Sequence, residues 1–263
     1  LLMNIITRKK NKYKLPNNLE KIFDVLEDNN VFFWLDAGSM LKGIRDGSII
    51  TSSDIDISVH ANQTKNVLNA IRELKHIGYK VNYNGGYPML EDMVTIYLPK
   101  KINRIEHLDI YIFHKHKNNY IRRCFHKPLA DSKSRYLFYL SKKILNKMQS
   151  IKSLNDFSFG KKILFYSGTI FGKIIFYLYE FVGKTSWYIV PELYFLEFKK
   201  ITLHERNFNI PREWDKYLNL RYGNDWELEK NRKEWFQTWK SDKNHIIRHK
   251  RLIRILSFEK YWL

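Results

Sequence analysis

The chain has few cysteines, few acidic residues and no long uncharged apolar run, and these shortages exclude several classes of protein. Cys124 is the only cysteine among 263 residues, which excludes an internal disulfide framework and any zinc site built from several cysteines. A single cysteine fits a reducing compartment. The best candidate for a membrane span, residues 163–182, contains Lys173 and Glu180, so we predict a buried or interfacial helix there. The apolar residues 1–3 are too few for a signal-peptide core.

The shortage of acid leaves the chain strongly basic. Lys and Arg total 46 against 27 Asp and Glu, giving a formal net charge of +19. Such a surface attracts phosphates, nucleotides, nucleic acid or an anionic membrane, and charge alone does not choose among them. Hydrophobic residues make up 44% and aromatic residues 16%, which argues against a disordered chain.

Hydrophobic periodicity predicts an α/β (α+β) protein with a mixed sheet in its first half. Helices are expected over 16–30 and 64–76, and strands over 31–35, 54–59, 80–83, 93–98 and 108–113. The second half is expected to be largely helical, with helices over 136–148, 163–182, 214–221 and 243–262, and a strand or hairpin over 195–203. We predict a catalytic core over 1–127 and a helical part over 128–263 that packs on it and completes the substrate site.

Three carboxylates form the sharpest candidate site. Residues two apart on a strand share a face, so Asp54 and Asp56 are expected to project together. In the strand around Asp109, the alternating apolar residues leave that side chain on the polar face. If the two strands are neighbours, three carboxylates converge, which is costly unless a cation neutralises them. Mg²⁺ is the natural choice, as one or two ions with Mn²⁺ as the substitute, because it combines carboxylates with phosphate oxygens.

The second half of the candidate site is a phosphate-binding helix start. Gly38 would let the backbone approach a phosphate closely, and Ser39 is expected to cap a helix that begins near Met40. Arg45, further along that helix, is expected to reach the same phosphates. The alternative to a metal and phosphate site is that Asp54 and Asp56 are simply solvated and that Gly38 and Ser39 form an ordinary helix cap.

Histidines near the third carboxylate allow further interpretations. His107 lies two residues before Asp109 and faces the same way, so it could orient Asp109 or contact phosphate; an exposed histidine at a strand end is the alternative. His114, His116 and His126 lie close to Cys124, but their spacing matches no standard zinc site, which favours a polar loop.

The wider sequence resembles the LicD/fukutin family. Residues 33–50 read FWLDAGSMLKGIRDGSII and residues 53–57 read SDIDI, similar to the family pattern W-L-x-x-G-T-L-L-G-x-x-R-x-x-x-x-I-P-x-D-D-D-I-D. A weaker downstream match comprises FNIP at 208–211, YL at 217–218 and YGNDW at 222–226. The chain departs from the pattern where Ile50-Thr51 replaces Ile-Pro and Ser52-Ser53 replaces extra acids. A ligand or base from those acids would be missing.

The resemblance implies a nucleotidyltransferase-like fold and a transferase. Such enzymes move a phosphorylated alcohol, such as phosphocholine or a polyol phosphate, from a CDP-linked donor to a glycan of a cell-surface polysaccharide or lipopolysaccharide. It implies that Asp54, Asp56 and Asp109 bind metal. It also implies that Gly38, Ser39 and Arg45 contact the donor. We take Asp109 as the candidate base, with a water as the alternative.

Two other functions stay open, and so does the location of the protein. They are nucleotidyl transfer from an NTP, and nucleic-acid binding without catalysis, which the lack of a recognisable RNA-reading motif disfavours. Residues 240–263 carry seven Lys and Arg beside an apolar stripe, and we expect a basic helix that either lies on an anionic membrane or packs on its own protein. The expected location is the cytoplasm, with peripheral contact at the inner face of the membrane.

Overall fold

A computed structural model gives the fold, and it describes residues 14–51, 54–82, 92–102, 105–124, 186–230 and 246–248, with scattered residues between 140 and 175. The described chain forms two compact units. The first combines residues 1–81, 94–121 and 189–245, and the second combines 82–93, 122–188 and 246–263. The division at 127/128 stays a prediction, but the first unit draws residues from both sides of it.

Helices and strands alternate from residue 17 to residue 82, and three further strands follow up to residue 124. They are α1 (Asn17–Asp28), β1 (Trp34–Leu35), α2 (Ala37–Arg45), β2 (Asp54–His60), α3 (Thr64–His76), β3 (Lys80–Asn82), β4 (Met93–Ile102), β5 (Ile105–His116) and β6 (Asn119–Cys124). Further along lie β7 (Ser186–Pro191), β8 (Phe198–Leu203), β9 (Arg206–Pro211), α4 (Trp214–Tyr222) and β10 (Ile246–Arg248). The predicted mixed α/β fold is confirmed.

The sheet of the first unit places β2 at its centre. β2 pairs in parallel with β5 and antiparallel with β1, and β1 pairs in parallel with β9. β8 confirms the strand expected within 195–203, and it forms an antiparallel hairpin with β9, which lies beyond the predicted range. His204 and Glu205 form its turn with positive φ angles of 53° and 65°. Since β9 completes a sheet begun by β1 and β2, the two ends of the first unit depend on one another.

The core of the first unit lies where α1 and α2 pack on this sheet. In α1 the buried residues recur at helical spacing, so one face of the helix turns inward. Phe23 stacks with Phe33 and meets Phe208 edge to face, with ring centroids 5.6 and 5.1 Å apart. The largest fully buried side chains are Trp34, Tyr217, Phe23, Phe113, Phe208, Leu19, Ile22, Leu26, Leu35 and Met40.

The second half is richer in strands than the sequence predicted. The helix expected over 243–262 is wrong for Ile246–Arg248, which form β10 and pair antiparallel with residues 186–188 of β7. Paired isoleucines suit a strand, and pairing along the sheet edge prevails over the helical periodicity of the sequence. The remainder of that predicted helix lies outside the described residues. Similarly, His114 and His116 lie in β5 rather than in a loop, and His126 lies outside the described residues.

The predicted helices over 136–148 and 163–182 are helical at each residue that the structure describes. Large apolar side chains are exposed in the second of them, which favours its interfacial alternative; they are Ile163, Tyr166, Ile170, Phe171 and Ile174. Among the described residues, no helix combines the length and apolar character needed to cross a membrane.

Candidate active site

The candidate site lies at the start of two parallel strands of the first unit. The register of β2 and β5 pairs Asp54 with His107 and Asp56 with Asp109. The residues between them, including Ile55 and Leu108, are fully buried on the opposite face. Neighbouring strands lie about 4.8 Å apart, so the four polar side chains share a small area on one face of the sheet. The carboxylates therefore converge, as the alternation of the two strands predicts.

The Asp56 carboxylate is held by two donors from different elements. The Tyr111 hydroxyl donates to Oδ1 at 2.9 Å, and the Gly38 backbone amide donates to Oδ2 at 3.1 Å. The backbone amide of Asp56 donates in turn to the Ser39 hydroxyl oxygen at 2.8 Å. Thus α2 and β5 fix the orientation of a carboxylate on β2. Only 5% of Asp56 is exposed.

These bonds change the interpretation of the helix start. α2 begins at Ala37 rather than near Met40, and its cap is Asp36, whose side chain accepts from the Ala37 amide at 2.6 Å. The prediction that Ser39 is the cap is wrong, because Ser39 is fully buried in the first turn and bonds to Asp56. The Gly38 amide is likewise occupied by a carboxylate of the protein.

The Asp109 carboxylate lies between a threonine and a histidine. The Thr95 hydroxyl on β4 donates to Asp109 Oδ1 at 2.6 Å. His107 Nε2 lies 3.6 Å from Asp109 Oδ2, within ion-pair range. Contact with the Asp109 carboxylate raises the pKa of His107 above its ordinary value, against the opposing effect of partial burial.

The closest set of potential metal ligands differs from the predicted one. One ligand atom from each of Asp54, His107 and Asp109 lies within 4.8 Å of the others. Asp56 adjoins this set, but both of its carboxylate oxygens already accept a hydrogen bond from the protein. Geometry thus favours an imidazole in a place where the sequence suggested a third carboxylate.

Crowding of negative charge marks the site electrostatically. Burial, followed by the charges of Asp54 and Asp109, raises the pKa of Asp56 to about 7, although Arg221 and the Tyr111 hydrogen bond act in the opposite direction. Carboxylates that repel one another in a buried place are stabilised by a bound cation. The donor set of carboxylate oxygens and one imidazole nitrogen therefore fits a divalent metal ion.

A buried network beneath the site centres on Asp36, whose side chain is fully buried. Asp36 accepts hydrogen bonds from Ser58 at 2.5 Å, from Tyr217 at 2.7 Å and from Arg221 at 2.9 Å. Asp36 also donates its backbone amide to the Asp56 carbonyl at 3.1 Å, which ties the network to the site. The sequence signal was an aspartate directly before a helix of small residues, which is typical of an N-cap.

Arg45 is engaged elsewhere. It pairs with Asp46 through two hydrogen bonds of 2.7 and 3.0 Å. Arg45 is the last residue of α2, whereas the carboxylates contact the first turn of that helix. The structure thus brings Gly38, Ser39, Asp54, Asp56 and Asp109 together, and it places the Arg45 side chain in a different ion pair.

Comparison with known proteins gives this arrangement a family. The family model described as LicD/FKTN/FKRP, nucleotidyltransferase domain, matches residues 30–166, more than half of the chain. Two relatives are the uncharacterized proteins RT0683 of Rickettsia typhi and RP689 of Rickettsia prowazekii, 25% and 26% identical over 99 residues. Each match covers 37% of this chain and 28% or 32% of the relative, so the chain spans about a third of the length of these curated relatives.

A solved structure is also similar. The lincosamide antibiotic adenylyltransferase LnuA, with lincomycin bound, has a TM-score of 0.37 and 15% sequence identity. The match covers 88% of this chain and 100% of that one.

Proposed function

The chain belongs to the LicD/FKTN/FKRP nucleotidyltransferase-domain family, and from this premise we propose that it transfers a phosphorylated alcohol from a CDP-linked donor to a glycan, releasing CMP. The alcohol phosphate is phosphocholine or a polyol phosphate. The observation that carries the proposal is the in-register pairing of Asp56 with Asp109, with Asp54 beside them, in a chain of this family. A site that gathers repelling carboxylates suits chemistry on a phosphate–metal complex.

The proposed metal is Mg²⁺ or Mn²⁺, as one or two ions. Asp54 and Asp109 would hold it, with Asp56 beside them. When bound, it neutralises charge on the diphosphate and on the departing phosphate. The protein supplies the positions: Gly38 and Tyr111 fix the Asp56 carboxylate, and Thr95 fixes Asp109.

The proposed reaction is a displacement at the distal phosphorus of the donor. A glycan hydroxyl oxygen forms a bond to that phosphorus, and the bond from the phosphorus to the bridging oxygen breaks. CMP leaves with the electron pair of that bond. Asp109 is the proposed base that accepts the hydroxyl proton, because one of its oxygens is fixed by Thr95 and the other faces His107.

The proposed donor contacts need one revision. Gly38 and Ser39 are proposed to act by positioning Asp56, since their polar groups bond to that residue. A contact between Arg45 and the donor phosphates would require the guanidinium to leave Asp46, so this contact ranks behind the carboxylates.

A panel of donors tests the proposal. The purified protein is incubated with Mg²⁺ or Mn²⁺ and with CDP-choline, CDP-ribitol, CDP-glycerol or each NTP, and released CMP or pyrophosphate is measured. We expect metal-dependent CMP release from at least one CDP-alcohol and none in the Asp56→Asn variant. Pyrophosphate release from an NTP would instead favour nucleotidyl transfer, which is the reaction that the family description names.

Contact with an anionic membrane is a separate proposal. Its first basis, a helix over 243–262, is weakened because Ile246–Arg248 form a strand. The exposed apolar side chains between Ile163 and Ile174, on a chain of net charge +19, are the better basis. Co-sedimentation with anionic and neutral vesicles tests it. Recovery of the protein in the supernatant to the same extent with anionic and with neutral vesicles at low salt would contradict the proposed membrane contact.

A further inference from the structure

The position of His107 at the site carries one more inference. It is the register partner of Asp54 on β2 and lies two residues before Asp109 on β5, so its ring lies close to both carboxylates. Its side chain is 27% exposed, which leaves it accessible from solvent. His107 is thus a partly exposed residue of the site, unlike the fully buried Asp36 beneath it.

The distances from His107 suit a shared ion better than a direct hydrogen bond. A histidine that only supports a carboxylate approaches it to about 2.8 Å, whereas His107 Nε2 lies 3.6 Å from Asp109 Oδ2. Two ligands of one ion, each bonded at about 2.1 Å, lie roughly 3 to 4 Å apart. The single ligand atoms of Asp54, His107 and Asp109 already approach that spacing.

Asp56 is the alternative third ligand, and its hydrogen bonds make it the weaker one. Gly38 and Tyr111 each donate to one of its two oxygens. Those bonds hold the carboxylate against α2 and β5. The contact that the structure describes for His107 Nε2 is the one with Asp109 Oδ2 at 3.6 Å, and Asp109 is itself a member of the ligand set.

We infer that Nε2 of His107 is a direct ligand of the metal ion, together with Asp54 and Asp109, and that the site therefore prefers Mn²⁺ to Mg²⁺. The inference rests on the proposed function for the presence of a metal, and it adds the identity of a ligand and of the ion. Mg²⁺ is satisfied by oxygen ligands, whereas imidazole nitrogen favours first-row transition metals.

The test is equilibrium metal binding, which needs no donor or acceptor. Free Mn²⁺ is measured by electron paramagnetic resonance during titration of the full chain, with and without competing Mg²⁺. The comparison is between the native chain and His107→Gln. Losing an outer partner of a metal ligand already costs about 10- to 100-fold in affinity, so losing a direct ligand should weaken Mn²⁺ binding at least that much. Mg²⁺ binding should change far less.

A spectroscopic measurement identifies the ligand directly. In the Mn²⁺-loaded native chain, electron spin echo modulation should show coupling to an imidazole ¹⁴N nucleus, and His107→Gln should abolish it. His76→Gln is the matched control, since His76 is an exposed histidine at the end of α3. That variant should keep both the coupling and the Mn²⁺ affinity.

Several outcomes would overturn the inference. The first is the absence of ¹⁴N coupling in the native chain, and the second is persistence of that coupling in His107→Gln. The third is a ratio of Mn²⁺ to Mg²⁺ affinity that is the same in His107→Gln as in the native chain. Failure of the proposed function looks different. In that case the metal binds through His107, and Asp54→Asn abolishes binding, yet no CDP-alcohol is turned over.

Discussion

Strand β2 directs polar side chains to one face along its whole length, yet its two ends meet opposite surroundings. At the start, Asp54 and Asp56 face His107 and Asp109 on β5. At the end, His60 lies among aromatic rings, with centroids 4.8 Å from Trp34 and 4.7 Å from Tyr120. We refer to these as the acidic end and the aromatic end of β2.

Burial acts at both ends and shifts the two pKa values in opposite directions. Burial together with repulsion from Asp54 and Asp109 raises the pKa of Asp56 to about 7, and burial lowers the pKa of His60 to about 4. In both cases burial disfavours the charged form. The ends differ in their neighbours: charge accumulates at the acidic end, whereas rings surround His60. The acidic end is thus the one that a cation would stabilise.

The largest expected effect is on activity, when a substitution at the acidic end of β2 is compared with one at the aromatic end. Asp56→Asn should reduce metal-dependent CMP release by orders of magnitude, because a neutral amide lacks the negative charge that stabilises a cation beside Asp54 and Asp109. His60→Phe should leave turnover near normal, since His60 lies at the other end of the strand. Initial rates at saturating donor and metal check both. Near-normal turnover in a folded Asp56→Asn variant would remove Asp56 from the mechanism.

The next effect concerns Arg221, whose permanent positive charge lies in the buried network beneath the acidic end. Arg221→Met should lower the free energy of unfolding by about 3–5 kcal/mol, because it leaves the buried Asp36 carboxylate without its charge partner. Urea denaturation at pH 7 measures this. Arg212→Met is the control: Arg212 pairs with Glu197 at the exposed surface, where solvent screens the charges, so losing that pair should leave the free energy of unfolding nearly unchanged.

A double variant keeps that prediction testable if Arg221→Met fails to fold. Asp36→Asn combined with Arg221→Met removes both charges and should recover part of the lost stability. No recovery would mean that the guanidinium stabilises the fold by packing rather than by its charge.

The two ends should also impose opposite pH dependences on the metal-free protein. Asp56 has a raised pKa, so its contribution to stability is lost as the pH rises from about 4 to about 7. This loss lowers the free energy of unfolding by at most about 4 kcal/mol. His60 has a lowered pKa, so its contribution is lost as the pH falls from about 6.5 to about 4. That is at most about 3 kcal/mol, reduced by solvent screening. The two nearly cancel in the native chain.

Single variants should reveal each slope. In EDTA, Asp56→Asn should make the free energy of unfolding rise more steeply with pH between 4 and 6.5 than in the native chain. His60→Phe should make it fall between 4 and 7. Denaturation at half-unit pH steps measures both. Parallel curves for the native chain and Asp56→Asn would show that Asp56 titrates normally.

The smallest expected effect is at the backbone beside the acidic end. Ala37 has a φ of 45°, a left-handed conformation that costs an L-residue about 1–2 kcal/mol. Ala37→Gly should therefore stabilise the fold by about 0.5–1 kcal/mol, after the extra chain entropy of glycine is counted. Ala70→Gly, inside α3, should destabilise it by about 1 kcal/mol or more. Equal signs for the two variants would contradict the assignment of strain.

The sequence predicted the acidic end well because local patterns suffice there. Strand alternation around Asp54, Asp56 and Asp109 set their face, and the structure added the register that brings them together. The Asp36 network could not be foreseen, since Tyr217 and Arg221 lie more than 180 positions away in the sequence. The pairing of Arg45 with the acid that follows it, Asp46, was not foreseen, and the contact of Arg45 with donor phosphates stays a prediction. Helical periodicity misled at 246–248, where strand pairing decides.

The pairing of β1 with β9 has a consequence for how the chain is made. Trp34 lies opposite Asn209, whose side chain also donates to the Phe33 carbonyl at 2.9 Å. At about 5–20 residues per second, a ribosome needs roughly 10 to 35 s to reach Asn209 after Trp34. Throughout that interval one edge of β1 lacks its partner and invites association with other chains. A recombinant fragment that ends at residue 166 would keep this state permanently, with Asp54, Asp56, His107 and Asp109 present and the edge of β1 still unpaired.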